Sequence, residues 1–222
     1  MRKKNKKKNR IFLKLLIFLI IVALIVGAVF IFLNKDNKKT ENKVNKVAEK
    51  VESINGYEYN LYENSSDLYK KYYTELKKVL ESEEIDEEQY ALLVSKLFVI
   101  DFYSFDNRIT NQDVGGLDFV HSSIKENFKL KATDTIYKYI KSNVYGDREQ
   151  KLPVVKEVDE GTVKKTNYKY TDSSRKIDIN DQNAYKVSLS WEYDNDDSGY
   201  PTSAEITLVH EKEKLLSIVI IK

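Results

Sequence analysis

Hydrophobic and polar positions follow three successive rhythms along the chain. Residues 11–33 are apolar almost without a break, IFLKLLIFLIIVALIVGAVFIFL, with Lys14 the one charge. About twenty such residues cross the hydrocarbon core of a bilayer as a helix, and Lys14, one turn in, can reach the interface along its own aliphatic stem. The run predicts a transmembrane helix over 11–33. A cleaved signal peptide fits less well, since its apolar region is shorter and a small-residue cleavage site follows it; here Phe30, Ile31, Phe32 and Leu33 stay apolar to the end.

The second rhythm is helical. Val44, Val47, Val51 and Ile54 recur at spacings of three and four, the pattern of a coiled-coil seam with valines at a. It predicts a short stalk helix within a 34–56 linker, ended by Gly56. That helix either packs on its own domain or forms a homodimer seam, and two heptads are too few to favour the dimer. Residues 65–81 place Leu68, Tyr72, Leu76, Val79 and Leu80 on one helical face. Asp86 is set as an N-cap with Gln89 closing a capping box and Ile85 stapling to Tyr90. Tyr90, Leu93, Val94, Leu97, Phe98, Phe102 and Phe105 then form a broad apolar face. After a turn at Asp113-Val114-Gly115-Gly116, the residues Leu117, Val120, Ile124 and Phe128 predict a shorter helix. A last one runs from a cap at Thr133 or Asp134 through Tyr145, with Gly146 as terminator.

After Pro153 the period becomes two. In AYKVSLSWEY, Tyr185, Val187, Leu189, Trp191 and Tyr193 alternate with polar residues, and Ala204, Ile206 and Leu208 do the same. Residues 216–221 read as a third strand and 161–170 as a weaker fourth. Helices first and strands afterwards indicate an α+β domain over 57–222, with helices covering one face of an antiparallel sheet of about four strands.

Charge adds a direction. Seven Lys or Arg lie in residues 1–10, MRKKNKKKNR, against six in the seventeen residues after the span. The bias puts a basic tail in the cytoplasm, beside anionic lipid headgroups, and the α+β domain outside the cell. A basic run directly before a span is a topology signal, and the remainder of the chain is net acidic, so no nucleic-acid partner is expected. The chain has no cysteine, which excludes disulfides, thiolate metal sites and cysteine nucleophiles.

The stretches LYKKYYTELKKVL, SKLFVIDFYSFDNRI, NQDVGGLDFV and ATDTIYKYIKSNVYG resemble uncharacterised Gram-positive single-pass membrane proteins with a nuclear-transport-factor-2-like (cystatin-like) extracytoplasmic domain. The resemblance covers roughly residues 57–222. It implies helices filling the concave side of a curved sheet, and it brings no assigned catalytic residues. A looser likeness of architecture links the chain to conjugation and type IV secretion scaffolds, and architecture does not imply function.

Two places invite chemistry. DNDDSGYPTSAE puts Asp194, Asp196, Ser198 and Glu205 at positions 1, 3, 5 and 12 of a calcium loop, with Gly199 at 6. An EF-hand needs a helix on each side, whereas strands flank this loop and Pro201 removes a backbone N–H, so a polar hairpin is expected instead. Asp101 follows Val94 by seven and Leu97 by four, which sets it on or beside the apolar face of its helix. A carboxylate there could serve as the general base of a small-molecule pocket enzyme, although a hydrogen bond to a nearby turn is its simpler role. His121 and His210 are expected at core edges or on the surface. No phosphate loop, dinucleotide fingerprint, HExxH or GxSxG is present. The expectation is a non-enzymatic, cofactor-free domain, anchored to membrane lipid through residues 11–33, that binds another envelope protein or acts as a scaffold subunit.

Overall fold

Residues 48–195, 199–212 and 214–222 are described by a computed structural model. The basic tail, the membrane helix expected at 11–33, and Val44 and Val47 lie outside them. Among the described residues no helix is long and apolar enough to cross a membrane.

The stalk expected to be helical is, over its described part, a strand. β1 (Lys50–Ser53) pairs antiparallel with β2 (Asn60–Tyr62). Residues three apart share a helix face but fall on opposite faces of an extended chain. Accordingly Val51 is 64% exposed, while Ile54, just past β1, is 2% exposed. Gly56, at φ +80°, turns the chain, and the Tyr57 N–H donates to the Ile54 carbonyl at 3.0 Å. Ile54 therefore belongs to the core of its own domain, which starts before residue 57. Within the described residues the valine spacing has no helix to form a seam on.

The second of the next two helices begins where its cap predicts, and the first falls within the expected 65–81. The Ser66 hydroxyl accepts the Tyr69 N–H at 3.1 Å and starts α1 (Asp67–Leu80). The Asp86 carboxylate accepts the N–H groups of Glu88 and Gln89 at 3.1 and 3.0 Å and starts α2 (Glu87–Phe102). α2 is buried nearly all round, as a helix within a core must be: Tyr90, Leu93, Val94, Leu97, Phe98 and Ile100 are each at most 2% exposed.

Beyond α2 the structure departs from expectation. A single 3-10 turn, Leu117–Phe119, and α3 (Lys125–Asp134) occupy the place of the predicted third helix. The predicted helix from Thr133 or Asp134 through Tyr145 does not form: Asp134 closes α3, and residues 135–139 are turns. Tyr137 holds this segment. Its hydroxyl donates to the Phe102 carbonyl and accepts the Gly115 N–H at 3.1 Å, so the ring is drawn into the core.

The remaining strands form one strongly curled antiparallel sheet: β3 (Val155–Val158), β4 (Thr162–Asp172), β5 (Ile177–Tyr193), β6 (Ser203–Glu211) and β7 (Leu215–Ile221). β5 is the spine. β4 and β3 lie end to end along one side of it, with β6 and then β7 on the other. On β5 the odd-numbered Ile177, Ile179, Tyr185, Val187, Leu189 and Trp191 are all buried. The register with β4 slips between Thr166 and Tyr168, where β5 carries one extra residue. A bulge of this kind inverts the pleat. Tyr185 to Trp191 thus face the helices. Ile177 and Ile179 lie on the reverse side and join Ala184 and Val209 in a second small cluster, packed by Tyr168 and Tyr170.

Candidate functional site

Asp101 stands in the last turn of α2, and the loop that follows folds back on it. The Arg108 side chain is 9% exposed. Its Nε donates to the Ser104 carbonyl at 3.1 Å, and its Nη2 reaches both the Asp101 carbonyl and, at 2.5 Å, Asp101 Oδ1. The second carboxylate oxygen, Oδ2, accepts the Gly116 N–H at 2.7 Å. Two adjacent glycines permit this closure. A Cβ on Gly115 would collide with the Arg108 guanidinium and the Asp101 carbonyl, and Gly116 sits at φ +72° against the Phe98 ring. Burial opposes the Arg108 charge, but the Asp101 carboxylate beside it outweighs burial and holds the guanidinium above its ordinary value.

A second carboxylate borders the same region. Asp118 Oδ2 accepts from Asn60 Nδ2 and from the Tyr62 hydroxyl, both at 2.8 Å, tying the β1–β2 hairpin to the 3-10 turn. Burial, and then Asp118, push the Tyr62 phenol well above its usual range.

Two adjoining cavities, of about 170 and 250 Å3, share Tyr62, Asn64, Asp101 and Asn107 in their walls. Three serine hydroxyls line the smaller one, and each accepts a backbone N–H at 3.1 Å: Ser65 from Tyr62, Ser66 from Tyr69, Ser104 from Val155. The cleft can receive hydrogen-bonding groups. Its carboxylates and hydroxyls already hold the loop, the hairpin and the helix start in place. Asp101 is therefore at a cavity wall, as its helical position suggested, and bonded to a turn. Arg108, which completes the cluster, carries no signal in the helical pattern because it lies in the loop.

The calcium candidates are distributed otherwise. Asp194 pairs with Val154 in both directions: Oδ1 accepts the Val154 N–H and the Asp194 N–H donates to the Val154 carbonyl, each at 3.0 Å. Glu205 lies within β6 and faces Lys186 at 3.3 Å. Asp196 and Ser198 lie outside the described residues, and Gly199 takes φ +88°, as a turn glycine does. Among the described residues no group of three or more His, Asp or Glu side chains could hold a metal ion.

His210 has company that its sequence position does not announce. Its Nδ1 lies 2.9 Å from Asp181 and its Nε2 lies 3.4 Å from Glu87, in the first turn of α2. Burial alone would raise the Asp181 carboxyl, but the N–H groups of His210 and Asn183 outweigh it and hold Asp181 below its usual range. His121 bonds Ser123 and, through its backbone N–H, the Ile218 carbonyl at 3.0 Å. Comparison with protein families, curated proteins and solved structures finds no match to this chain.

Proposed function

We propose that the chain is a single-pass membrane protein whose extracytoplasmic domain, of nuclear-transport-factor-2-like build, binds a protein partner in the cell envelope. The observation that carries this reading is the apolar run 11–33 with its basic leading flank, joined to a domain of curled sheet and helices. In support, the polar groups of the Asp101 cleft are engaged by the fold's own donors and acceptors. That is the expected state of a structural site rather than of a reacting one. A conjugation or secretion scaffold is the process the architecture suggests, and the partner's identity would decide it.

The test has two arms. External protease should remove a C-terminal tag from intact cells, whereas protection of the tag until lysis would reverse the orientation. Crosslinking and pull-down from native membranes should return a specific envelope protein, and recovery of none would end the binding reading.

A second reading, a small-molecule enzyme with Asp101 as base, rests on that residue's place in the shared cavity wall. Fragment binding detected by ligand-observed NMR, and lost in Asp101→Ala, would support it. Fragments that bind only elsewhere would remove it.

A further inference from the structure

We infer that the outer edge of β4 is the docking strand for an acidic, extended segment of a partner protein. This deepens the partner-binding reading and rests on it for its biological setting. β4 has eleven residues and pairs on one side only, with β5. Among the described residues no other element sends a hydrogen bond to its backbone; Thr166, within β4, bonds the neighbouring Asn167 carbonyl. An unpaired edge of this length offers a row of N–H and C=O groups to which an incoming strand can add.

The side chains state what kind of strand fits. Lys164, Lys165 and Lys169 are exposed along the edge. Among the described residues only Lys165 has a carboxylate within reach, Glu88 at 3.8 Å. Lys164 stands directly opposite Lys186 of β5, a like-charge pair that opposes the ladder. Lys186 is answered from the far side by Glu205 at 3.3 Å, and among the described residues Lys164 has no such answer. An added strand bearing Asp or Glu across from Lys164 would complete the row. A second copy of β4 would instead set lysine against lysine. The same charges that refuse self-pairing therefore select an acidic partner. On the Lys164 face, Tyr168 and Tyr170 stand half-buried over Ile177 and Ile179 and give the incoming strand an apolar footing.

The test uses the full chain in mild detergent and two ten-residue peptides. One alternates Glu with Val and Thr, and the other carries Lys in place of Glu. The acidic peptide should slow hydrogen exchange in β4 and bind roughly tenfold more tightly, as two or three cross-strand charge pairs would give. The preference should shrink as salt rises. Lys164→Glu with Lys169→Glu should invert it while the far-ultraviolet spectrum stays the same. An acidic peptide that leaves β4 unprotected, equal binding of the two peptides, or a preference that survives the double charge reversal would each overturn the proposal. These arms need no native partner, so they decide the edge whatever the crosslinking experiment returns.

Discussion

The two edges of the sheet are handled in opposite ways. At β7 the outward backbone of Leu216 is closed by a pair of buried tyrosines. Tyr90 Oη accepts the Leu216 N–H at 2.9 Å, Tyr59 Oη donates to the Leu216 carbonyl at 2.6 Å, and the two hydroxyls lie 2.7 Å apart. One step along, the His121 N–H takes the Ile218 carbonyl at 3.0 Å. At β4 nothing comparable occurs among the described residues, and lysines guard the strand. Both devices answer the same hazard, a strand edge that would template pairing with another chain. Hydrogen-bonded closure removes the edge and ties the hairpin and α2 to β7. Charge leaves the edge in place and restricts who can use it.

The largest expected effect comes from breaking the closed edge. Tyr90→Phe leaves the Leu216 N–H buried without its acceptor, which should cost about 1–3 kcal/mol in urea unfolding. Tyr59→Phe should cost a similar amount by orphaning the Leu216 carbonyl. The double variant should lose less than the sum, because the hydroxyls share one network. Additive losses would show that the pair is not a unit.

Alkaline pH should attack the same edge. Burial first, and for Tyr59 the neighbouring Tyr90 next, push both phenols above their usual value. A raised folded-state value means that stability is fully present below pH ~10, where unfolded tyrosine begins to ionise. It is then lost as pH rises toward the folded values, by about 1.4 kcal/mol per pH unit for each such tyrosine. Urea midpoints should fall steeply once the pH rises above ~10, and less steeply in Tyr90→Phe. An equal slope in that variant would contradict the role given to the hydroxyl. The smallest effect belongs to the open edge: Lys164→Glu with Lys169→Glu should change stability by no more than about 0.5 kcal/mol, as for exposed residues with no ion-pair partner among the described residues.

Much of the helical and strand framework, both edge strands included, is legible in the sequence, and the contacts that close one edge are not. Asp86 marks the start of α2 because a cap acts within three residues. The alternation from Tyr185 to Trp191 marks half of β5 because one face is apolar and the other polar. Local signals fail where a distant contact decides. The spacing of Val51 and Ile54 suits a helix seam, yet pairing with β2 makes Lys50–Ser53 a strand. The first half of β5 carries few apolar residues and its pleat inverts at the bulge, while β3 is four residues long and sets its two buried valines three apart across a register shift, so neither shows a sustained period of two. Asp101 shows its helical position, while its partner Arg108 and the Gly115–Gly116 closure come from loop geometry. Tyr59, Tyr90 and Leu216 meet across 31 and 157 residues of chain, a distance no short-range pattern spans.

The contrast between a closed and an open edge is tested most directly by residue-resolved hydrogen exchange on the native full chain without ligand. Closure of β7 predicts that the Leu216 amide, held by Tyr90, exchanges only with global unfolding. The outward-facing amides of β4, which have no acceptor among the described residues, should exchange far faster than the β4 amides that bond to β5. Slow exchange at every β4 amide, or fast exchange at Leu216, would contradict the account.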